Sequence, residues 1–126
     1  GLLLTNACAD PFGWKTIRAT MGAAFRMPVW EVTPEQLATL TTQSSLPLLA
    51  TALRADTVPL QAVHAPRTAV VIGSEGNGVS ETVLRLCRET VCIPMNPRCE
   101  SLNAAAAAAV VLWEMYRDRC SGTEEE

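Results

Sequence analysis

The feature that most constrains this chain is a strand that runs straight into a glycine-rich loop and then a helix. Thr68–Ile72 is an unbroken β-branched and apolar run, and Gly73-Ser-Glu-Gly-Asn-Gly78 follows it. Ser80 then stands where a hydroxyl caps a helix over Glu81–Arg88. A strand with no polar face is buried on both sides, as in a parallel sheet covered by helices. Ligands of open parallel sheets bind at the carboxyl ends of the strands, where this glycine loop lies.

The rest of the chain extends the alternation. Gly1–Thr5 has the pattern of the end of a buried strand, and Asn6–Gly13, with Asp10-Pro11, is a loop. Trp14–Phe25 has helical spacing, with Ile17, Met21, Ala24 and Phe25 on one face, and Pro28 stops it. Thr33-Pro34-Glu35-Gln36 is a capping box with proline at the first helical position, opening a helix through Leu40. Leu46–Leu53 is a short apolar strand, followed by a polar connection holding Pro59 and Pro66. Val91–Met95 is another strand, bounded by Pro94 and Pro97. Leu102–Arg119 is a long helix in which Leu102, Ala105, Ala109, Trp113 and Tyr116 recur at helical spacing. The class is therefore α/β with a mostly parallel sheet.

Composition narrows the functional classes. At 126 residues the chain is one domain in size, large enough to bury a core. No apolar run approaches the ~18 residues of a membrane-spanning helix. The terminal run Glu124–Glu126 accounts for the whole net charge of −3, so a polycationic nucleic-acid binder is excluded and any RNA contact is local. The five cysteines, Cys8, Cys87, Cys92, Cys99 and Cys120, include no C-x-x-C pair, and His64 is the single histidine. That spacing favours idle thiols in a reducing compartment over a disulfide framework or a zinc site. No basic, signal-like region precedes the apolar start, which has the look of a chain beginning inside a strand.

The glycine loop by itself leaves two readings open. Its order is G-x-x-G-x-G, neither the dinucleotide fingerprint nor a phosphate loop, and Glu75 at its centre repels phosphate. A tight turn explains it as well as a ligand site does. A second segment, Ile93-Pro-Met-Asn-Pro-Arg-Cys-Glu-Ser-Leu-Asn103, runs from a strand into the alanine-rich helix. Either Ser101 or Asn103 serves as an ordinary N-cap there. Yet Glu75, Ser101 and Asn103 would converge near strand ends and place a carboxylate, a hydroxyl and an amide in one glycine-walled cleft, the pattern of a site.

Together, Ile72-Gly-Ser-Glu-Gly-Asn-Gly-Val79 and Ile93-Pro-Met…Glu100-Ser-Leu-Asn-Ala-Ala105 resemble motifs 2 and 3 of the SpoU (TrmH-type) RNA ribose 2′-O-methyltransferases of the SPOUT superfamily. Cys8-Ala-Asp-Pro-Phe12, Arg18-Ala-Thr-Met-Gly-Ala23 and Phe25-Arg-Met-Pro28 are similar to the region after that family's second strand. The resemblance covers residues 1–119, with 120–126 an acidic, solubilising tail.

The resemblance implies a parallel sheet whose C-terminal segment forms a trefoil knot, a homodimer, and a cytoplasmic, metal-free enzyme. S-adenosylmethionine is the implied cofactor, contacted at Gly73, Ile93, Met95 and Leu102. Methyl transfer to the ribose 2′-hydroxyl of tRNA or rRNA is the implied reaction, with Glu75, Ser101 and Asn103 at the active-site positions, orienting the ribose and other site side chains. The small Ala104–Ala106 suit close approach of the knot's segments.

One departure is plain. The family's motif 1, N-x-G-x-x-x-R, supplies an arginine proposed to act on the 2′-hydroxyl, and it does not occur here. Arg18 and Arg26 belong to a later segment and do not replace it. The expectation is an N-terminally truncated domain, with Gly1–Thr5 lacking a neighbouring strand and turnover crippled; measurable methyl transfer by residues 1–126 would refute that. The alternative from another class is a non-catalytic, knotted cofactor-binding or dimerisation module. A third, an unrelated nucleotide-binding α/β protein, explains the glycine loop but not the Ile93–Asn103 segment. Among the remaining features, His64 is expected at the surface, Trp14, Trp30 and Trp113 are core or interface aromatics, and Lys15, Arg18 and Arg26 are candidates to touch RNA phosphates.

Overall fold

The computed structural model describes residues 1–5, 8–64, 67–98 and 101–121. Pro66, Cys99, Glu100 and the acidic run Glu124–Glu126 lie outside the described residues. The chain divides into two compact units, Gly1–Leu40 and Thr41–Glu126.

In the first unit, β1 (Leu2–Leu4) pairs in parallel with β2 (Val29–Glu31), Leu2 opposite Val29 and Leu4 opposite Glu31. The crossover carries α1 (Trp14–Ala19) and a short 3-10 turn over Ala23–Phe25. The single helix expected over Trp14–Phe25 is thus broken. Met21 at φ 50° and Gly22 at φ 78° take left-handed backbone, so the chain turns and Met21 is 89% exposed. Among the described residues β1 is paired on one side only and leaves Leu2 and Leu3 exposed, which corrects the reading of Gly1–Thr5 as buried and agrees with the expectation that it lacks a neighbouring strand. The capping box forms as expected. Thr33 N–H donates to Gln36 Oε1 at 2.8 Å, and Gln36 N–H donates to Thr33 Oγ1 at 3.2 Å. The helix it starts, α2 (Pro34–Ser44), runs one turn beyond Leu40 and ends at Ser45, whose φ is 51°.

The second unit is built on β3 (Leu48–Thr51), β4 (Val58–Pro59), β5 (Ala69–Val71) and β6 (Glu89–Cys92), all parallel in the order β4-β6-β3-β5. β4 and the 3-10 turn over Leu60–Ala62 lie in what the sequence presents as a polar connection. α3 (Glu81–Leu84) is shorter than expected but begins where expected, with Val83 N–H donating to Ser80 Oγ at 3.4 Å. The chain then leaves helix through bonds from Leu86 N–H to Val83 O and Cys87 N–H to Leu84 O, so Arg88 N–H can reach Leu48 O on β3. The core is Leu49, Leu60, Val91 and Val111, with Val58, Val63, Val70, Ile93 and Met115 packed against it.

The long C-terminal helix, α4 (Ala104–Ser121), packs through a different face from the one its apolar spacing marks. Val111 is buried, and Ala104, Ala107, Ala108 and Met115 are partly covered. By contrast Ala105, Ala109, Leu112, Trp113 and Tyr116 are exposed, Leu112 and Trp113 by 62% and 64%. This helix is apolar on two sides, so periodicity cannot say which side meets the sheet. No helix of the described residues is long and apolar enough to cross a membrane.

Candidate functional site

The carboxyl ends of β3, β5 and β6 open into one cleft of about 270 Å³. Its walls are Thr51–Leu53 at the end of β3, Ile72–Glu75 and Gly78 after β5, Cys92, Ile93 and Met95 at the end of β6, and Ser101, Leu102, Ala104 and Ala107 at the start of α4. The sheet order creates this convergence. β3 lies between β5 and β6, so the loops leaving β5 and β6 flank the loop leaving β3.

The glycine loop is a closed ring. Ser74 N–H donates to Gly78 O at 3.1 Å, Gly78 N–H to Ser74 O at 2.8 Å, and Asn77 N–H to Ser74 Oγ at 3.2 Å. Gly78 has φ 65°, the left-handed region that glycine adopts without strain. Gly73 is required for another reason: a Cβ there would lie 2.3 Å from the Gly78 carbonyl carbon and 2.6 Å from Val79 N. The loop therefore folds back upon Gly73 itself. Gly76, at the tip, has nothing within 4 Å of such a Cβ.

Of the residues marked in the sequence, Gly73, Glu75, Ile93, Met95, Ser101 and Leu102 all line this cleft. Asn103 does not. Its Oδ1 accepts Ala106 N–H at 2.9 Å and its carbonyl accepts Ala107 N–H at 2.9 Å, which makes it the N-cap of α4. Three lining residues, Thr51, Ala52 and Leu53, have no motif to announce them. Their signal is positional, as the carboxyl end of an apolar strand. Thr51 Oγ1 donates to Val71 O at 3.1 Å and ties the ends of β3 and β5 together beneath the cleft.

The cleft is predominantly apolar, with Ile72, Ile93, Met95 and Leu102 facing backbone at Gly73 and Gly78. Such a surface suits a flat nucleobase between aliphatic walls, with main-chain groups for its edge. Its polar lining includes the Glu75 carboxylate and the Ser101 hydroxyl, both exposed. No three His, Cys, Asp or Glu side chains come together in metal-binding fashion among the described residues.

A larger cleft, about 500 Å³, lies in the first unit at the carboxyl ends of β1 and β2. Its charged lining is Asp10 and Glu31, with no cation. Asp10 Oδ1 already accepts Phe12 N–H at 2.9 Å, and Gln36 Oε1 is held by the capping box. Volume favours this cleft, but the chemistry of the lining favours the smaller one.

Comparison with known proteins shows the family. Residues 1–113 match the model of the SpoU rRNA Methylase family. A tRNA/rRNA methyltransferase of Synechocystis, named as uncharacterised, is 36% identical over 121 residues, covering 94% of this chain and 44% of that protein. A 23S rRNA (uridine(2479)-2′-O)-methyltransferase of Streptomyces viridochromogenes is 32% identical over 128 residues, covering 97% of this chain and 45% of that one. The crystal structure of the SpoU methyltransferase AviRb from Streptomyces viridochromogenes superposes with a TM-score of 0.88 at 30% identity, over 97% of this chain and 50% of that one. AviRb in complex with the cofactor AdoMet gives 0.83 at 28% identity, over 94% and 49%. The chain spans less than half the length of these curated relatives. With the family model matched over nearly the whole chain and the fold shared with AviRb, the chain belongs to the SpoU rRNA methylase family.

Proposed function

We propose that the cleft at the ends of β3, β5 and β6 binds S-adenosylmethionine, and that the protein methylates a ribose 2′-hydroxyl of tRNA or rRNA. The observation that carries this reading is the meeting of the glycine ring with Ile93, Met95, Ser101 and Leu102 in one apolar cleft. The residues fit the cofactor. Ile72, Ile93, Met95 and Leu102 provide walls for adenine, and the ring closed on Gly73 presents main chain, without a side chain, to the ligand. When bound, S-adenosylmethionine supplies an electrophilic methyl group on a sulfonium.

The chain's own residues position the acceptor. The Glu75 carboxylate accepts hydrogen bonds from ribose hydroxyls, and the Ser101 hydroxyl both donates and accepts. Holding the hydroxyl in line with the methyl is the larger part of what such a site contributes to rate. Asn103 acts through structure, capping α4 and so fixing Ser101 and Leu102, which immediately precede it. The N-x-G-x-x-x-R arginine is absent from these 126 residues, so they account for cofactor binding and ribose orientation.

A homodimer is part of the proposal. Its support is the exposed apolar stripe Leu112, Trp113 and Tyr116 on α4, with the Trp113 and Tyr116 rings 6.1 Å apart. So is the C-terminal knot, supported by the insertion of the late strand β6 between β4 and β3. Residues 1–119 then form one methyltransferase domain. Cytoplasmic residence follows from the proposed RNA substrate and agrees with the free thiols of Cys8, Cys87 and Cys92.

The ribose assignment is tested by binding. With S-adenosylhomocysteine present, the chain is expected to bind unstructured RNA more tightly than DNA of the same sequence. Glu75→Gln or Ser101→Ala should each reduce that preference by about 2- to 10-fold, the worth of one hydrogen bond. Equal affinity for RNA and DNA contradicts the assignment.

A further inference from the structure

The segment from residue 11 to residue 30 is charged in one sense only. It carries Lys15, Arg18 and Arg26 and no carboxylate, within a chain whose overall balance is −3. It also holds Phe12, Trp14, Phe25 and Trp30, four of the six aromatic residues. None of these rings is in the core: Phe12, Trp14, Phe25 and Trp30 are 55%, 64%, 68% and 54% exposed. The core part of the expectation for Trp14 and Trp30 is thereby overturned.

Around Trp14 the arrangement is specific. Lys15 Nζ lies 5.6 Å and the Arg18 guanidinium carbon 5.9 Å from the indole centroid. Both cations lie over the ring, at distances near the outer end of the ~6 Å cation–π range, so they are held there loosely. Among the described residues, neither Lys15 nor Arg18 makes an ion pair with a carboxylate. The nearest acid in sequence, Asp10, is engaged with Phe12 N–H. The local backbone is firm, because Thr16 Oγ1 donates to Asp10 O at 2.8 Å and Ile17 N–H to Gly13 O at 3.0 Å.

An exposed indole with two loosely held cations over its ring, neither ion-paired among the described residues, is a surface for a polyanion that also carries flat, apolar rings able to take the cations' place. A double helix offers the charge but keeps its bases stacked inside; an unpaired strand offers both. We propose that Trp14, Lys15 and Arg18 form a landing surface for an unpaired stretch of RNA, one base stacked on the Trp14 indole and the two cations on flanking phosphates. The proposal rests on the reading of the protein as an RNA methyltransferase and adds the conformation of the RNA it engages.

The test measures fluorescence anisotropy of the full chain with a labelled unstructured RNA, the same RNA annealed to its complement, and the DNA of the same sequence. Wild type should prefer the single strand. Trp14→Ala should lose about tenfold on single-stranded RNA and DNA alike, and Trp14→Phe should regain most of it, since stacking tolerates sequence and sugar. Lys15→Ala should reduce the slope of log affinity against log salt by about 0.7, one phosphate contact on a single strand. Circular dichroism confirms that each variant is folded. Single-strand affinity unchanged in Trp14→Ala overturns the proposal, and an intact RNA-over-DNA preference in that variant leaves the ribose reading standing. Absence of any RNA binding overturns both. Binding to vesicles of anionic phospholipid that is lost in Trp14→Ala, without a matching loss on RNA, assigns the surface to a membrane and overturns the proposal as well.

Discussion

Gly73 and Gly76 sit three residues apart in one loop and answer to different physics. A methyl group at Gly73 meets the Gly78 and Val79 backbone at 2.3 to 2.7 Å, whereas one at Gly76 meets nothing. Gly73→Ala should therefore cost about 1–3 kcal/mol, the range for forcing a group into filled space, and should weaken cofactor binding. Gly76→Ala should stay within about 0.5 kcal/mol of wild type, as substitutions in open positions do. Thermal denaturation of the two variants checks this, and equal shifts contradict the ring geometry. A second pair separates stability from function at the start of α4. Asn103→Ala removes the cap and should cost about 1 kcal/mol, while Asn103→Ser keeps a capping oxygen and should restore most of it. Failure of serine to restore stability would mean that the amide does more than cap. Among the cysteines, burial pushes the Cys87 thiol up from its usual range, and its Sγ donates to Val83 O at 3.3 Å. Less thiolate is then present at neutral pH. A chain keeping only Cys87 should react with iodoacetamide more slowly than one keeping only the exposed Cys120, and should gain rate as pH rises. Equal rates contradict the burial.

At the scale of elements, the sequence was readable wherever a local interaction decides the outcome. The capping box at Thr33–Gln36 and the Ser80 cap are formed by side chains within three residues of one another, so the residue types announce them. The positions of β1, β3, β5 and β6 were also legible, because short apolar runs bounded by glycine and proline leave few alternatives, whereas the very short β2 and β4 gave no such run. What was illegible depends on partners distant in sequence. Which side of α4 is covered depends on where the β-sheet core sits. The break in the Trp14–Phe25 helix is a subtler case, since Met21 adopts a positive φ that its side chain does not advertise. The site was legible in part. The Gly73 and Ile93–Leu102 segments carry recognisable motifs, but Asn103 belongs to the cap and Thr51–Leu53 entered the cleft unannounced. The exposed side of α4 carries its own prediction. Trp113→Ala should leave the melting temperature of the dilute protein nearly unchanged and lower the sedimentation coefficient at high concentration, as a dimer gives way to monomer. A wild-type chain that sediments as a monomer at all concentrations contradicts the dimer.

For the whole molecule, the parallel sheet β4-β6-β3-β5 matters because it brings three loops to one end. The first unit adds the cationic, aromatic segment around Trp14, so the proposed cofactor site and the proposed RNA surface are carried by different stretches of the chain. The proposed activity depends first on the cleft, and isothermal titration of the chain with S-adenosylmethionine tests it most directly. Leu102→Glu provides the control, because Leu102 lines the cleft outside any helix or strand and is already 38% exposed, so a charge there leaves the core untouched. Saturable binding by wild type, lost in Leu102→Glu at unchanged circular dichroism, is the result expected. A folded wild-type chain that takes up no S-adenosylmethionine, or a Leu102→Glu chain that binds it as well as wild type, would contradict the assignment of this cleft.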